Sequence, residues 1–222
     1  MQSPYIVQLL GASWRIPSDL QMVLEWMDRG DLRSVLYKTA PSTPNEASAS
    51  FSWDEKIECM LSIVEGLVYL HSMNILHRDL KSRNILLDST KGTKLTDFGT
   101  SREMSTETMT IGVGTFRWMA PEVLHDCYYS TAADVYSFGV VLSELSTHEI
   151  PYYDLCNEKG QRLGDTAIMS RVMSGSTAPT FGTSTPSWVL DLGKACIATS
   201  PESRPTAIQI AHVIRQHIQT AL

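Results

Sequence analysis

The stretch that decides the fold is residues 75–87, which read ILHRDLKSRNILL. Two aliphatic runs enclose a cluster of charged and amide side chains, among them Asp79, Lys81 and Asn84. Short apolar runs of this kind predict two buried strands, so the polar residues between them lie on a loop that is held at both ends. A rigid polar loop between buried strands is where we expect a functional site.

The composition limits what such a site can do. The chain has 222 residues, of which 43% are hydrophobic and 19% charged, enough apolar material for one large or two small globular domains. Its net charge is −6 and no stretch is rich in Lys and Arg, so a nucleic-acid partner is not expected. The four cysteines are far apart and show no C-x-x-C spacing, which favours a reducing compartment.

We also expect no membrane segment in this chain. No apolar run approaches the ~18 residues of a membrane span, and no secretory leader pattern opens the sequence. A cytoplasmic location fits these observations, and an upstream receptor region with its own membrane span stays open as an alternative.

Hydrophobic periodicity predicts a small β part followed by a long helical part. Residues 5–10 and 20–27 read as two strands joined by a turn. Residues 39–52 are small, polar and proline-bearing, which is typical of an exposed, mobile loop, and we interpret them as a flexible insertion. A capping box, Ser52 with Glu55, precedes the first long helix. Helices are predicted at 53–72, 131–146, 165–174, 186–197 and 206–220.

Three motifs then occur in order: HRDLKSRN at 77–84, DFG at 97–99 and APE at 120–122. This set resembles the signature of protein kinases, and the resemblance covers nearly the whole chain. The sequences HRDLKSRN and WMAPE are most similar to those of the tyrosine-kinase-like group of Ser/Thr kinases. The resemblance implies an α+β, protein-kinase-like fold, mainly the helical C-terminal lobe. Its parts would be two remnant N-lobe strands and the hinge at 1–27, the C-lobe at 28–222, and the activation segment at 97–122.

The resemblance implies transfer of the γ-phosphate of ATP to a Ser or Thr hydroxyl of a protein, with ATP and Mg²⁺ as cofactors. Asp79 would be the catalytic base, Lys81 would meet the transferred phosphate, and Thr115 would steady both. Asn84 and Asp97 would hold Mg²⁺, a hard cation that prefers oxygen ligands. Lys81, two residues after the base, favours Ser and Thr over Tyr as the acceptor.

The adenine pocket is implied at LEWM, residues 24–27. By resemblance Leu24 would border the pocket, and Glu25 and Met27 would offer backbone groups to the base. Leu86 would form the floor beneath it. ATP and a protein substrate are therefore the expected partners.

Other positions resemble scaffold residues of the family. Glu122 and Arg204 resemble a buried ion pair, and Asp134 resembles the helix residue that holds the backbone of the catalytic loop. We interpret His77 and Phe98 as packed core residues rather than chemical groups, because both lie beside apolar residues.

Arg78 precedes the expected base, where an arginine can clamp a phosphate on the activation segment. We hypothesise that one hydroxyl of that segment is phosphorylated, and a merely polar loop is the alternative reading. The candidate hydroxyls are those of Thr100, Ser101, Ser105, Thr106, Thr108 and Thr110.

Several parts of the kinase signature are not found. No G-x-G-x-x-G loop precedes the hinge, and the first lysine, Lys38, follows it. We therefore expect most of the N-terminal lobe to be missing, so that the chain is a truncated kinase, weakly active or inactive alone. A pseudokinase-type binding module is the alternative, although Asp79, Asn84 and Asp97 are all retained. The two strands would expose their edges, so we expect self-association.

Overall fold

A computed structural model gives the fold and describes residues 2–42, 48–97, 102–103 and 115–220. Helices dominate these ranges, and the strands are short, so the predicted α+β class is confirmed. The helices are α1 (Leu32–Lys38), α2 (Trp53–Ser72), α3 (Pro121–Asp126), α4 (Thr131–Thr147), α5 (Asp165–Met173), α6 (Ser187–Cys196) and α7 (Ala207–Thr220).

The strands form three small antiparallel sheets: β1 with β2, the order β3-β5-β6, and β4 with β7. They are β1 (Leu9–Ser13), β2 (Gln21–Leu24), β3 (Gly30–Asp31), β4 (Ile75–Leu76), β5 (Ile85–Asp88), β6 (Gly92–Leu95) and β7 (Arg102–Glu103). None of the helices within the described ranges has the length and hydropathy of a membrane span.

The core is organised around α2 and α4. Helix α2 begins at its predicted residue because the capping box forms: Ser52 Oγ accepts from the Glu55 amide at 3.3 Å, and Glu55 Oε2 accepts from the Ser52 amide at 3.0 Å. Helix α4 is buried on nearly all sides and packs against α2 and α6. A Cβ at Gly139 would lie 2.7 Å from Cys196 Cβ, so only glycine permits this close approach of α4 to α6.

The five predicted helices are confirmed to within one or two residues, but the strand predictions are partly wrong. The first strand is β1, not residues 5–10, because the backbone of the earlier residues bonds to β6 instead. Val7 donates to the Leu95 carbonyl at 2.9 Å, and Leu95 donates to the Tyr5 carbonyl at 2.8 Å. The second strand ends at Leu24 rather than at Met27. The Met27 side chain is buried, unlike the exposed residues of β2.

Helices α1 and α3 were not predicted. Both are one or two turns long, too short for a clear hydrophobic period, and they depend on local caps. The Asp31 carboxylate accepts from the Ser34 amide at the start of α1, and Pro121 opens α3 with a backbone angle already suited to a helix.

The exposed loop predicted for 39–52 is wrong at its C-terminal end. Phe51 is 1% exposed and belongs to the main core. The buried hydroxyl of Ser48 donates to the Thr39 carbonyl at 2.6 Å and accepts from the Phe51 amide at 3.1 Å. The polar composition of this stretch therefore did not indicate that Phe51 is buried, or that Ser48 bonds to the end of α1. Residues 43–47 lie outside the described residues.

Candidate active site

Residues 77–84, which we call the catalytic loop after the motif they resemble, lie between β4 and β5, as the two aliphatic runs predicted. Lys81 Nζ donates to both carboxylate oxygens of Asp79, at 3.0 and 2.7 Å. Asn84 Nδ2 donates to the Asp79 carbonyl at 2.8 Å and to its Oδ2 at 3.0 Å. The side chains of Asp79 and Lys81 are 13% and 17% exposed. The structure thus brings a carboxylate, an ammonium and an amide together in a partly buried cluster that solvent still reaches.

Asp134, in the first turn of α4, anchors this loop from behind. Its Oδ2 accepts from the His77 amide and its Oδ1 from the Arg78 amide, each at 2.9 Å, which confirms its predicted role. The ring of His71, in the last turn of α2, also bonds to Oδ2 at 2.9 Å. Burial raises the pKa of Asp134, but the His71 hydrogen bond and nearby imidazoles outweigh it and leave the pKa below its ordinary value.

Two residues of the site hold a left-handed backbone. Arg78 has φ 67° and Asp97 has φ 62°, a region that residues other than glycine rarely adopt. Such conformations persist where the surrounding structure enforces them, and they concentrate at functional sites. The Thr96 amide donates to the Asn84 carbonyl at 3.0 Å, so Asp97 follows directly on a residue that is paired with Asn84. The two expected metal ligands therefore lie at the same end of the β5–β6 pair, Asn84 just before β5 and Asp97 just after β6.

The donor chemistry here fits Mg²⁺. Asn84 uses its amide nitrogen on Asp79, so its side-chain oxygen is the atom left for a cation, and Asp97 supplies a carboxylate. Magnesium is commonly held by one or two protein oxygen ligands, with waters and phosphate oxygens completing the shell. No cluster of three or more His, Cys, Asp or Glu in metal-binding arrangement occurs among the described residues.

The residues expected around adenine lie beside β5 and β6. The Glu25 carboxylate accepts from the Gln8 amide at 2.8 Å and from Lys94 Nζ at 2.7 Å. Burial raises the pKa of Glu25, but these contacts outweigh burial and lower it. Leu24 is largely exposed, Met27 is buried, and Leu86 is half-buried on β5, where it pairs with Lys94. The hinge is thus fastened to the sheet that carries the expected pocket floor.

Glu144 is a site residue that sequence reasoning missed. It lies on α4 with no exposed surface; its Oε1 accepts from Ser82 Oγ and its Oε2 from Trp118 Nε1, each at 2.7 Å. Burial raises the pKa of Glu144 to about 7, although the two hydrogen bonds act to lower it. The one carboxylate therefore joins the catalytic loop to the segment before APE. An acid inside the apolar run VVLSEL was the available signal.

The predicted ion pair between Glu122 and Arg204 is confirmed. The guanidinium donates to both carboxylate oxygens, at 2.6 and 2.8 Å, and the Arg204 side chain is fully buried. His77 is also fully buried, and burial lowers its pKa, as expected of a packed residue. Phe98 lies outside the described residues, and so does the side chain of Thr115.

Arg78 is nine-tenths buried, and its guanidinium lies over the ring of Tyr129, 5.3 Å from the centroid. Its Nε and Nη1 make no hydrogen bond with any described residue. Buried guanidinium donors of this kind are suited to an anion. The six candidate hydroxyls of the activation segment lie outside the described residues.

This combination of a helical body, a loop bearing Asp79, Lys81 and Asn84, and a neighbouring Asp97 matches the arrangement that the motif resemblance implies. The sequence model of the protein kinase domain family matches residues 1–215. The chain therefore belongs to the protein kinase family.

The chain is similar to several serine/threonine-protein kinases. A probable serine/threonine-protein kinase of Dictyostelium discoideum is 35% identical over 218 residues, which are 97% of this chain and 33% of the relative. The serine/threonine/tyrosine-protein kinase HT1 of Arabidopsis thaliana is 34% identical over 96% of this chain and 51% of its own length. The serine/threonine-protein kinase STY17 of the same plant is 34% identical over 96% of this chain and 35% of its own length. The chain thus spans about half or less of each relative.

Proposed function

We propose that this chain carries the catalytic-loop half of a Ser/Thr protein kinase site, which transfers the γ-phosphate of ATP to a hydroxyl of a protein. The observation that supports it most directly is the convergence of Lys81 and Asn84 on the Asp79 carboxylate. A loose phosphoryl-transfer transition state needs positioning and charge neutralisation more than covalent chemistry, and this trio offers both.

Each residue has a role in this proposal. Asp79 accepts the proton of the substrate hydroxyl and orients it, while Lys81 compensates charge on the transferred phosphate. Asn84 and Asp97 would hold Mg²⁺, which would supply positive charge to offset the negative charge of the phosphates. Thr115 would steady Asp79 and Lys81, as the resemblance implies.

The nucleotide base would be held by the hinge. The Glu25 amide donates to the Gln8 carbonyl at 3.0 Å, and the Met27 carbonyl accepts from the Gly30 amide at 3.3 Å. The remaining backbone groups, the Glu25 carbonyl and the Met27 amide, are then those proposed to meet adenine. Leu24 would border the adenine pocket, and Leu86 would form the floor beneath the ring.

Arg78 supports the further proposal that the kinase is switched by phosphorylation of its activation segment. Two of its buried nitrogens have no partner among the described residues, and they match the paired, charge-assisted hydrogen bonds that a phosphate accepts. Phosphopeptide mapping of active protein tests this proposal, and finding all six candidate hydroxyls unmodified would reject it.

The first experiment is titration calorimetry of Mg²⁺-ATP with the 222-residue chain, next to an Asp97→Asn variant. Binding that the variant loses supports a metal site built from Asn84 and Asp97. Absence of binding in both proteins, with unchanged thermal unfolding, would favour the other candidate, a non-catalytic binding module. The exposed apolar residues of β1 and β2 are the observation that keeps this candidate open.

If Mg²⁺-ATP binds, a transfer assay follows with paired peptides that differ only in a Ser, Thr or Tyr acceptor. We expect phosphate on Ser or Thr, and loss of the base in Asp79→Asn to reduce the rate about 10²-fold or more. Because HT1 is described as a serine/threonine/tyrosine kinase, the Tyr peptide is an informative arm of the assay. Phosphate on Tyr alone would contradict the proposed acceptor.

A further inference from the structure

A cavity of about 480 Å³ lies between the N-terminal ends of α2 and α6 and the C-terminal end of α7. We call it the acidic groove and define it by Asp54, Ile57 and Glu58 of α2, Trp188 of α6, and His217 and Ile218 of α7. Its volume falls within the range of about 300–1,000 Å³ that is typical of ligand pockets. The catalytic loop follows the opposite end of α2, so the groove is separate from the site described above.

One wall of the groove is a fixed aromatic surface. The Trp188 and His217 rings stack with their centroids 4.1 Å apart and their planes 12° from parallel. His217 Nδ1 lies 2.9 Å from the Val213 carbonyl, which can only accept, so Nδ1 donates and fixes the orientation of the imidazole. Ile57 and Ile218, both partly buried, continue this apolar surface. A large apolar side chain would therefore find a preformed surface of matching chemistry.

The rim of the groove is negatively charged. Asp54 and Glu58 lie one helical turn apart on α2 and are both exposed. Neither carboxylate has an ion pair or a side-chain hydrogen bond with another described residue. A cation at this rim would thus meet two carboxylates that no described side chain pairs with.

The nearby basic side chains are directed elsewhere. Lys56, between the two acids in sequence, is 2% exposed, and its Nζ lies 4.7 Å from the ring centroid of Trp53. Arg215 on α7 pairs with Glu65. The groove therefore combines an apolar floor with uncompensated negative charge at one edge.

We infer that the acidic groove docks a protein segment in which a basic side chain is next to a large apolar one. The apolar residue would pack on Trp188 and Ile57, and the Lys or Arg would pair with Asp54 and Glu58. A protein is the fitting partner because a kinase domain acts on proteins, and because the groove is open at the surface like a peptide-recognition site. Docking here involves none of the catalytic residues, so it goes beyond the proposed function.

The test uses two fluorescein-labelled peptides that alternate leucine with arginine in one and leucine with glutamate in the other. Their fluorescence anisotropy is measured with the 222-residue chain, without ATP, at low and high salt. We expect the arginine peptide to bind, the glutamate peptide not to bind, and salt to weaken the binding.

Variants assign the binding to the groove. In Asp54→Asn with Glu58→Gln we expect affinity to fall about tenfold, because two exposed charge pairs are lost. In Trp188→Leu affinity should also fall, whereas the charge-matched control Glu149→Gln with Glu158→Gln, far along the chain and exposed, should bind like the parent chain. Thermal unfolding checks that every variant is folded.

Three results would overturn the inference. The first is no binding of the arginine peptide by the folded parent chain. The second is an equal loss in the acidic-groove variant and in its charge-matched control. The third is a change in sedimentation of the groove variant without a change in peptide binding, which would make the groove an interface between copies. Because ATP is absent, none of these results bears on the proposed kinase activity.

Discussion

Helix α4 and the hairpin of β1 and β2 are both rich in apolar residues, yet they are packed in opposite ways. Phe138 and Leu142 of α4 are fully buried, whereas Met22 in β2 is 66% exposed and Trp26, just after it, 79% exposed. The difference lies in neighbours rather than composition: α4 is enclosed by other helices, and β1 and β2 pair only with each other in the described part of the chain. Hydrophobic sequence builds a core only where other elements cover it.

The largest expected effect is at the buried end of this comparison. Phe138→Ala should lower the free energy of unfolding by about 3–5 kcal/mol, because it removes buried surface and leaves a cavity. Met22→Ala, in the hairpin, should change it by less than about 0.5 kcal/mol. Urea unfolding of both variants measures the difference. Similar losses in the two variants would mean that the hairpin is covered in solution.

The comparison can be made sharper at Glu144, because a carboxyl group buried on α4 should make the stability of the folded chain depend on pH. Its pKa of about 7 in the folded chain exceeds the ordinary value of 4.5, so the folded state binds more protons between these values. This contribution to stability is complete below pH 4.5 and is lost as the pH rises through about 7, a total of about 3 kcal/mol.

The variant Glu144→Gln should therefore lack this fall in stability between acid and neutral pH. Urea unfolding at a series of pH values provides the measurement. Glu58→Gln, which removes an exposed acid from α2, is the matched control and should keep the slope of the parent chain. A Glu144→Gln slope equal to that of the parent would show that the carboxyl titrates normally.

Loss of an Asp134 hydrogen bond, which joins α4 to the catalytic loop, should have an intermediate effect on the free energy of unfolding. Asn at position 134 keeps one oxygen acceptor, so Asp134→Asn leaves the amide of His77 or of Arg78 without a partner, at a cost of about 1–3 kcal/mol. Urea unfolding and Mg²⁺-ATP calorimetry together provide the test. Unchanged unfolding and unchanged nucleotide binding would remove Asp134 from the support of the site.

The smallest effect on folding is expected at the exposed end. Met22→Ser with Trp26→Ser should alter the free energy of unfolding by less than about 0.5 kcal/mol, since neither side chain is buried. The same pair should reduce self-association in sedimentation velocity, because exposed apolar strands with free edges favour pairing. A parent chain that is already monomeric at high concentration would contradict the expected self-association.

Local patterns predicted the parts of the fold that local physics determines. The capping box at Ser52 marked the start of α2, and helical spacing marked α4. Phe51 was not predicted to be buried, because its neighbours in sequence are small and polar. The bonds of Glu144 to Ser82 and Trp118 cross 62 and 26 residues, and no periodicity reports on contacts at that separation. Motif resemblance identified the catalytic loop, but not the carboxyl group that ties it to the next segment.

Helix α2 also sets a distance. Its 20 residues make a rod about 30 Å long, with the acidic groove at one end and the catalytic loop directly beyond the other. A single polypeptide that engaged both would need at least about nine extended residues between its docking and acceptor positions. A shorter segment could not reach both sites, and a longer flexible one would lower the local concentration of the acceptor hydroxyl. The length of α2 would therefore set the preferred spacing between the docking and acceptor residues of a substrate.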